Sequence, residues 1–283
     1  MARFMSDNTP LVTRSMLVDD LTALGLGPGQ TVMLHASVKA IGWVVGGPDV
    51  VIQSLLDVLT PEGTLMMYVS WEDSPYGLEK SPPEERRAYL EECPAFDPAR
   101  SRAYTNWGIL TEYLRTWPGA CRSDHPDASF AAVGRLAEWI TADHPLQYGY
   151  GPRSPMARLV EAEGRVVMLG SPIAKLSLLH YAEHVARVPD KPVYRYRMPV
   201  VREGKRVWVD IEEFDTDRLI GDGSAGDYFQ KIPREFLASG RGREGKVGAA
   251  RSYLFDAAPL CQFAVEWLEH AFDLEGRIRG PRC

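Results

Sequence analysis

The chain has 283 residues, 45% hydrophobic and 25% charged, with a formal net charge of −6. That composition supplies a substantial core, argues against nucleic acid as a partner, because phosphates call for a basic surface, and favours a cationic ligand. No uncharged apolar run approaches the ~18 residues of a membrane span, the first ten residues hold no apolar leader, and Cys93, Cys121, Cys261 and Cys283 are scattered without a CxxC pair, so a cytoplasmic protein with reduced thiols and no membrane partner is expected.

A helical pattern from about Thr13 to Leu24 stops at Gly25-Leu26-Gly27-Pro28-Gly29, and Thr31 to His35 follows as a short apolar strand. Pro48 to Leu59 reads as a second helix, ended by Thr60-Pro61-Glu62-Gly63, and Thr64 to Val69 as a second buried strand. Alternation of this kind implies parallel strands joined by crossover helices. From Ser70 to Asn106 the pattern breaks into a long polar, proline-containing stretch, a length typical of lids and binding loops. It opens with Trp71-Glu72-Asp73-Ser74-Pro75-Tyr76, two carboxylates between aromatics, suited to a cation by charge and by cation–π contact.

A helix from Gly108 to Trp117, a strand at Phe130 to Val133 and a short helix at Leu136 to Ala142 come next. After the turn Tyr148-Gly149-Tyr150-Gly151-Pro152, Ser154-Pro155 opens another helix, and Arg165 to Gly170 is a core strand. Val193 to Arg202 and Lys205 to Phe214 flank Glu203-Gly204 and read as a β-hairpin, expected at the edge of the main sheet. Its second strand ends among Asp210, Glu212, Glu213, Asp215 and Asp217. A strand near Ser252 to Phe255 and a helix from Leu260 to His270 close the chain. These elements predict one layered α/β/α domain with a central, mostly parallel mixed sheet plus the antiparallel hairpin, its core spanning about residues 13–272 between tails 1–12 and 273–283.

The helix around His180 carries the chemistry. Reading from Leu176 to Val188, His180, Glu183, His184 and Arg187 fall at i, i+3, i+4 and i+7, opposite Leu178, Leu179, Ala182, Val185 and Ala186. Ser177 is the expected N-cap, which leaves His180 in the first turn, where the helix dipole favours a neutral, proton-accepting ring. Glu183 would then hold one ring nitrogen as N–H and leave the other to act as general base. Two other readings compete: the solvated side of a surface helix, and an H-x-x-E-H zinc hydrolase with His180 and His184 as ligands. A second candidate lies at Ser37-Val38-Lys39, where a turn, a lysine and the Gly46-Gly47-Pro48 helix start suit a pyrophosphate.

Five segments resemble, in order and spacing, those of the aminoglycoside 3-N-acetyltransferases: Leu34–Gly42, Tyr68–Tyr76, Pro94–Pro98, Arg122–Ser129 and Leu179–Glu183. The resemblance runs from about residue 15 to 272. It implies the family's own α/β fold, distinct from that of the GNAT acetyltransferases, and acetyl transfer from acetyl-CoA to the 3-amino group of 2-deoxystreptamine within a ternary complex, which inactivates the antibiotic. It further implies His180 as catalytic histidine with Glu183 as partner. Coenzyme contacts would come from His35, Ser37, Val38, Lys39, Ser101, Arg122, Ser123, His125 and Phe130, and substrate contacts from Tyr68, Glu72, Asp73, Glu183, Glu213 and Asp215. No metal is expected, and a monomer or homodimer is. Glu72 stands where the family favours Asp, Asp73 where a basic residue can occur, and His184 where a small residue is common, departures that bear on the antibiotic spectrum. A non-catalytic relative that binds coenzyme A or a polyamine is the remaining class.

Overall fold

The computed structural model describes residues 9–216 and 227–272; Asp217, Cys283 and most of the two expected tails lie outside the described residues. β1 (Leu11–Val12) leads into α1 (Arg14–Leu24), whose first turn is capped by the Thr13 hydroxyl accepting from Met16 N–H at 3.3 Å. Gly25 ends this helix at φ 117°, the left-handed region where a side chain would strain the backbone. Then come β2 (Thr31–Ala36), α2 (Val38–Ile41), β3 (Trp43–Val44), α3 (Pro48–Leu59) and β4 (Thr64–Tyr68). The next third of the chain holds α4 (Pro83–Glu92), α5 (Leu110–Arg115), β5 (Cys121–Arg122), β6 (Phe130–Gly134), α6 (Ala137–Thr141), α7 (Pro155–Glu161), β7 (Arg165–Leu169) and α8 (Leu178–Val185). The last elements are β8 (Val193–Arg202), β9 (Lys205–Phe214), α9 (Tyr228–Ala238), β10 (Arg243–Val247), β11 (Ala250–Asp256) and α10 (Ala257–Ala271).

Strand order in the main sheet is β10-β11-β7-β2-β4-β6-β5. Its central strands are apolar on both faces, and their side chains alternate between two cores. Met33, Met66, Val166 and Met168 face one core with α7 to α10; Val32, Leu34, Leu65, Met67, Val167 and Leu169 face the other with α1, α3 and α5. The result is the expected α/β/α layering around a mixed sheet, each fully buried aliphatic or aromatic side chain contributing about 1.5–3 kcal/mol.

Two expectations need correcting. Within the main sheet parallel pairing is confined to β7–β2–β4, and the flanking pairs are antiparallel, so this sheet is less parallel than the helix–strand alternation implies. β5 and β10, too short or too polar to register as strands in the sequence, add antiparallel edges by hairpins, while β6 and β11 return antiparallel to β4 and β7 after long connections. The β8–β9 hairpin has the bounds read from sequence, and Glu203 and Gly204 turn it with φ of 52° and 73°, the paired left-handed conformation that suits a two-residue hairpin loop. It forms its own ribbon instead of extending the sheet. Phe96 docks it, donating N–H to Pro199 C=O at 2.8 Å and accepting from Val201 N–H at 2.9 Å, over a small core of Trp71, Cys93, Phe96 and Val200. Among the described residues no helix is long and apolar enough to cross a membrane.

Candidate active site

β2, β4 and β7 run parallel, so their carboxyl ends share one edge of the sheet, the edge at which open α/β sheets hold ligands. α8 starts just beyond β7. Ser177 occupies the position before it, but with helical dihedrals (φ −61°, ψ −21°) and no side-chain cap; the first turn instead tightens on backbone bonds from Leu179 to Leu176 and His180 to Ser177. His180 keeps its expected place in the first turn.

Glu183 departs from the surface-helix reading. It is 1% exposed, and its carboxylate is held from both sides: Oε2 accepts from His180 Nδ1 at 2.8 Å, and Oε1 accepts from the Tyr228 hydroxyl on α9. A carboxylate can only accept, so Nδ1 carries the proton and Nε2 is the basic nitrogen. The imidazole retains 30% exposure and sits between the rings of Tyr150 (5.2 Å) and Phe229 (4.9 Å). That arrangement is an oriented, carboxylate-backed base at an opening.

His184, one turn on, has both nitrogens committed: Nδ1 donates to the His180 carbonyl at 2.7 Å and Nε2 meets Glu213 Oε1 at 2.5 Å. The H-x-x-E-H pattern therefore lacks its second imidazole ligand, which counts against the zinc reading, and among the described residues no cluster of three metal-ligating side chains is present. Gly151 lets His184 lie close, since a Cβ there would fall 3.0 Å from the ring.

The acidic candidates divide. Glu213, 7% exposed, reaches the His184 ring from β9, and Tyr68 hydrogen-bonds Tyr150 (2.9 Å) and the Asp127 carbonyl (3.1 Å). Glu72 staples its own loop, accepting from Thr105 N–H at 2.6 Å, while Asp73 is exposed and engaged through its carbonyl by Tyr89. Asp215 follows β9 with its N–H bonded to Pro192 C=O. Asp127, which sequence reasoning passed over inside the Arg122–Ser129 segment, accepts from the Tyr196 hydroxyl at 3.1 Å. Burial, and then the charge of Glu213, push its carboxyl up to about 6.

At the neighbouring strand ends lie His35, Ser37, Val38 and Lys39. His35 Nε2 is buried with no hydrogen-bond partner among the described residues, and burial holds the ring neutral, down to about 4. Gly170 packs on Ala40, which brings the β7–α8 connection beside Ser37 and α2, the short helix that stands where a turn was expected; that connection carries Lys175, stacked on Trp107 at 5.6 Å. Two lysines, an aromatic ring and an unmet imidazole nitrogen fit a phosphate-bearing thioester coenzyme.

The remaining residues that the family likeness puts along the coenzyme path are buried or half-buried. Ser123, His125 and Phe130 are fully buried. Arg122 spends its guanidinium on Val69 C=O (2.7 Å), Ser129 Oγ (3.2 Å) and the Ser101 carbonyl, stacked over Phe96, so Arg122 and Ser101 brace the loop. Sequence reasoning also missed Tyr150, Tyr228 and Lys175. Tyr228, Ile232 and Phe236 do carry a helical i, i+4, i+8 period, which Pro233 obscures.

A sequence model of the aminoglycoside 3-N-acetyltransferases matches residues 33–269. The chain belongs to the aminoglycoside 3-N-acetyltransferase family. It is 50% identical to aminoglycoside N(3)-acetyltransferase III of Pseudomonas aeruginosa over 92% of this chain and 94% of that protein, and 47% identical to aminoglycoside N(3)-acetyltransferase VII of Streptomyces paromomycinus over 95% of each. Its fold is similar to that of AAC-IIIb in binary complex with CoASH, with a TM-score of 0.86 and 48% identity, covering 94% of this chain and 99% of that one.

Proposed function

We propose that this enzyme transfers an acetyl group from acetyl-CoA to the 3-amino group of the 2-deoxystreptamine ring of aminoglycosides, by direct transfer in a ternary complex, and so confers resistance. The observation that carries this reading is the half-open His180 imidazole, backed by buried Glu183 and Tyr228 at the sheet's ligand edge. Acetyl-CoA supplies an activated thioester acyl group. His35, Ser37, Lys39 and Lys175 are the residues suited to hold it, and a donor made in the cytoplasm suits a cytoplasmic enzyme.

An ammonium has no lone pair, so the attacking amine must lose a proton first. His180 Nε2 takes that proton while Glu183, pinned by Tyr228, holds the ring's tautomer and stabilises the imidazolium that forms. Glu213 and Asp127 attract and orient the polycationic acceptor. The two cores share one sheet, which supports reading residues 13–272 as a single domain.

The test is acetyl-CoA-dependent thiol release across an aminoglycoside panel, with the acetylated nitrogen located by NMR. Acetylation at the 3-amine is expected. Coenzyme binding without turnover on any member would overturn the acceptor assignment and favour a non-catalytic binder.

A further inference from the structure

His184 and Glu213 form a second imidazole–carboxylate pair, one helical turn from the catalytic one. The His184 side chain is 2% exposed, and its Nδ1 must carry a proton, because the His180 carbonyl it meets can only accept. At Nε2 it meets Glu213 Oε1, which also accepts from Phe214 N–H at 2.9 Å. The other carboxylate oxygen, Oε2, is buried with no donor among the described residues. A buried carboxylate oxygen without a donor is an unmet acceptor, and the acceptor amines of an aminoglycoside are ammonium groups.

We propose that His184 is a positioning residue: it shares the charge of Glu213 and turns the second oxygen of that carboxylate toward a substrate ammonium, while its bond to the His180 carbonyl ties this subsite to the catalytic helix. The inference rests on the aminoglycoside reading above.

The surroundings support that reading. Asp127 is the nearby acid whose charge competes, held protonated to about pH 6. His144 feels Glu213 from the loop side, and burial keeps it neutral. Lys191 lies on the far side, bonded to the His184 carbonyl at 3.0 Å and stacked on Phe214. Tyr148 turns its hydroxyl away to Glu212, which Arg195 neutralises, and Glu183 is engaged by His180 and Tyr228. Tyr196 donates to Asp127. Among the described residues, the donors seen at Glu213 are the His184 ring and Phe214 N–H.

The test is calorimetric titration of the full-length protein, with coenzyme A bound, by sisomicin from pH 6 to 8. His184→Gln keeps a hydrogen-bond donor but carries no charge. It should weaken sisomicin about tenfold or more while coenzyme A affinity stays within about twofold. Glu213→Gln should reproduce the loss, and the double variant should add nothing further. Sisomicin affinity in His184→Gln equal to that of the wild type at every pH would overturn the inference, as would equal losses for both ligands, which would mark His184 as packing alone. If His184→Gln fails to fold, Glu213→Gln with unchanged sisomicin affinity would overturn it equally. A wild type that binds no sisomicin would instead remove the aminoglycoside reading, and this inference with it.

Discussion

Two histidine pairs lie on different parts of this molecule, and their surroundings give them opposite work. In α8, His180 and His184 each face a carboxylate, and His180 keeps an opening. In the 123–149 segment, His125 and His144 stack at 4.9 Å, both buried, and face only backbone and a hydroxyl. His125 Nδ1 accepts from Asp127 and Ala128 N–H groups and its Nε2 donates to Leu146 C=O; His144 takes the Ser123 hydroxyl and donates to Gly149 C=O. Burial drives His125 well down and His144 to about 4, so both stay neutral. An imidazole becomes a base when an anion stands behind it and solvent in front; sealed among neutral partners it is a rigid double hydrogen-bonder.

Removing the anion should break that contrast most severely. Glu183→Gln leaves the His180 ring without charge behind it, and kcat should fall by roughly a hundredfold or more, measured at saturating substrates with KM changing far less. In the other pair, His144→Ala should leave turnover per folded molecule within about twofold yet lower stability by about 2–4 kcal/mol, read by urea unfolding, because Ser123 and Gly149 lose buried partners and a ring-sized space opens. The smallest effect is a graded one with pH. In the unfolded chain His125 and His144 take up protons below 6.5, while in the fold His144 resists until about 4. Their stabilisation is therefore complete above about 6.5 and is lost as pH falls, by about 1.4 kcal/mol per pH unit for each ring. Asp127, raised to about 6, works in the opposite direction, while His35, lowered to about 4 by burial, adds to the loss. The melting temperature should drop between pH 7 and 5, and a flat profile would contradict the neutral, sealed pair.

The same contrast explains what the sequence made legible. Spacing put His180 and Glu183 on one helix, and three residues along a helix is a distance that chemistry can use directly. The central strands and the hairpin were readable because apolar runs and a Glu-Gly turn are local signals. Glu213 was named as an acid, but its pairing with His184 spans 29 positions and two unrelated elements, which no local period encodes. Asp127 lay in a readable segment and Tyr228 on a helix whose period Pro233 obscures, and both owe their roles to neighbours brought by the fold. His125 shows the reverse case: a motif residue that suggests a ligand contact turns out to be fully enclosed, with Gly149 so close that a Cβ would sit 2.6 Å from its ring.

The most direct measurement is steady-state kinetics of His180→Gln with saturating acetyl-CoA and aminoglycoside, alongside the wild type. The account predicts that kcat falls by about 10²–10⁴-fold, with both ligands still bound and the loss largest where the wild-type rate is fastest in pH. Near-normal turnover in this variant would contradict it, and the proton would have to leave the amine by another route.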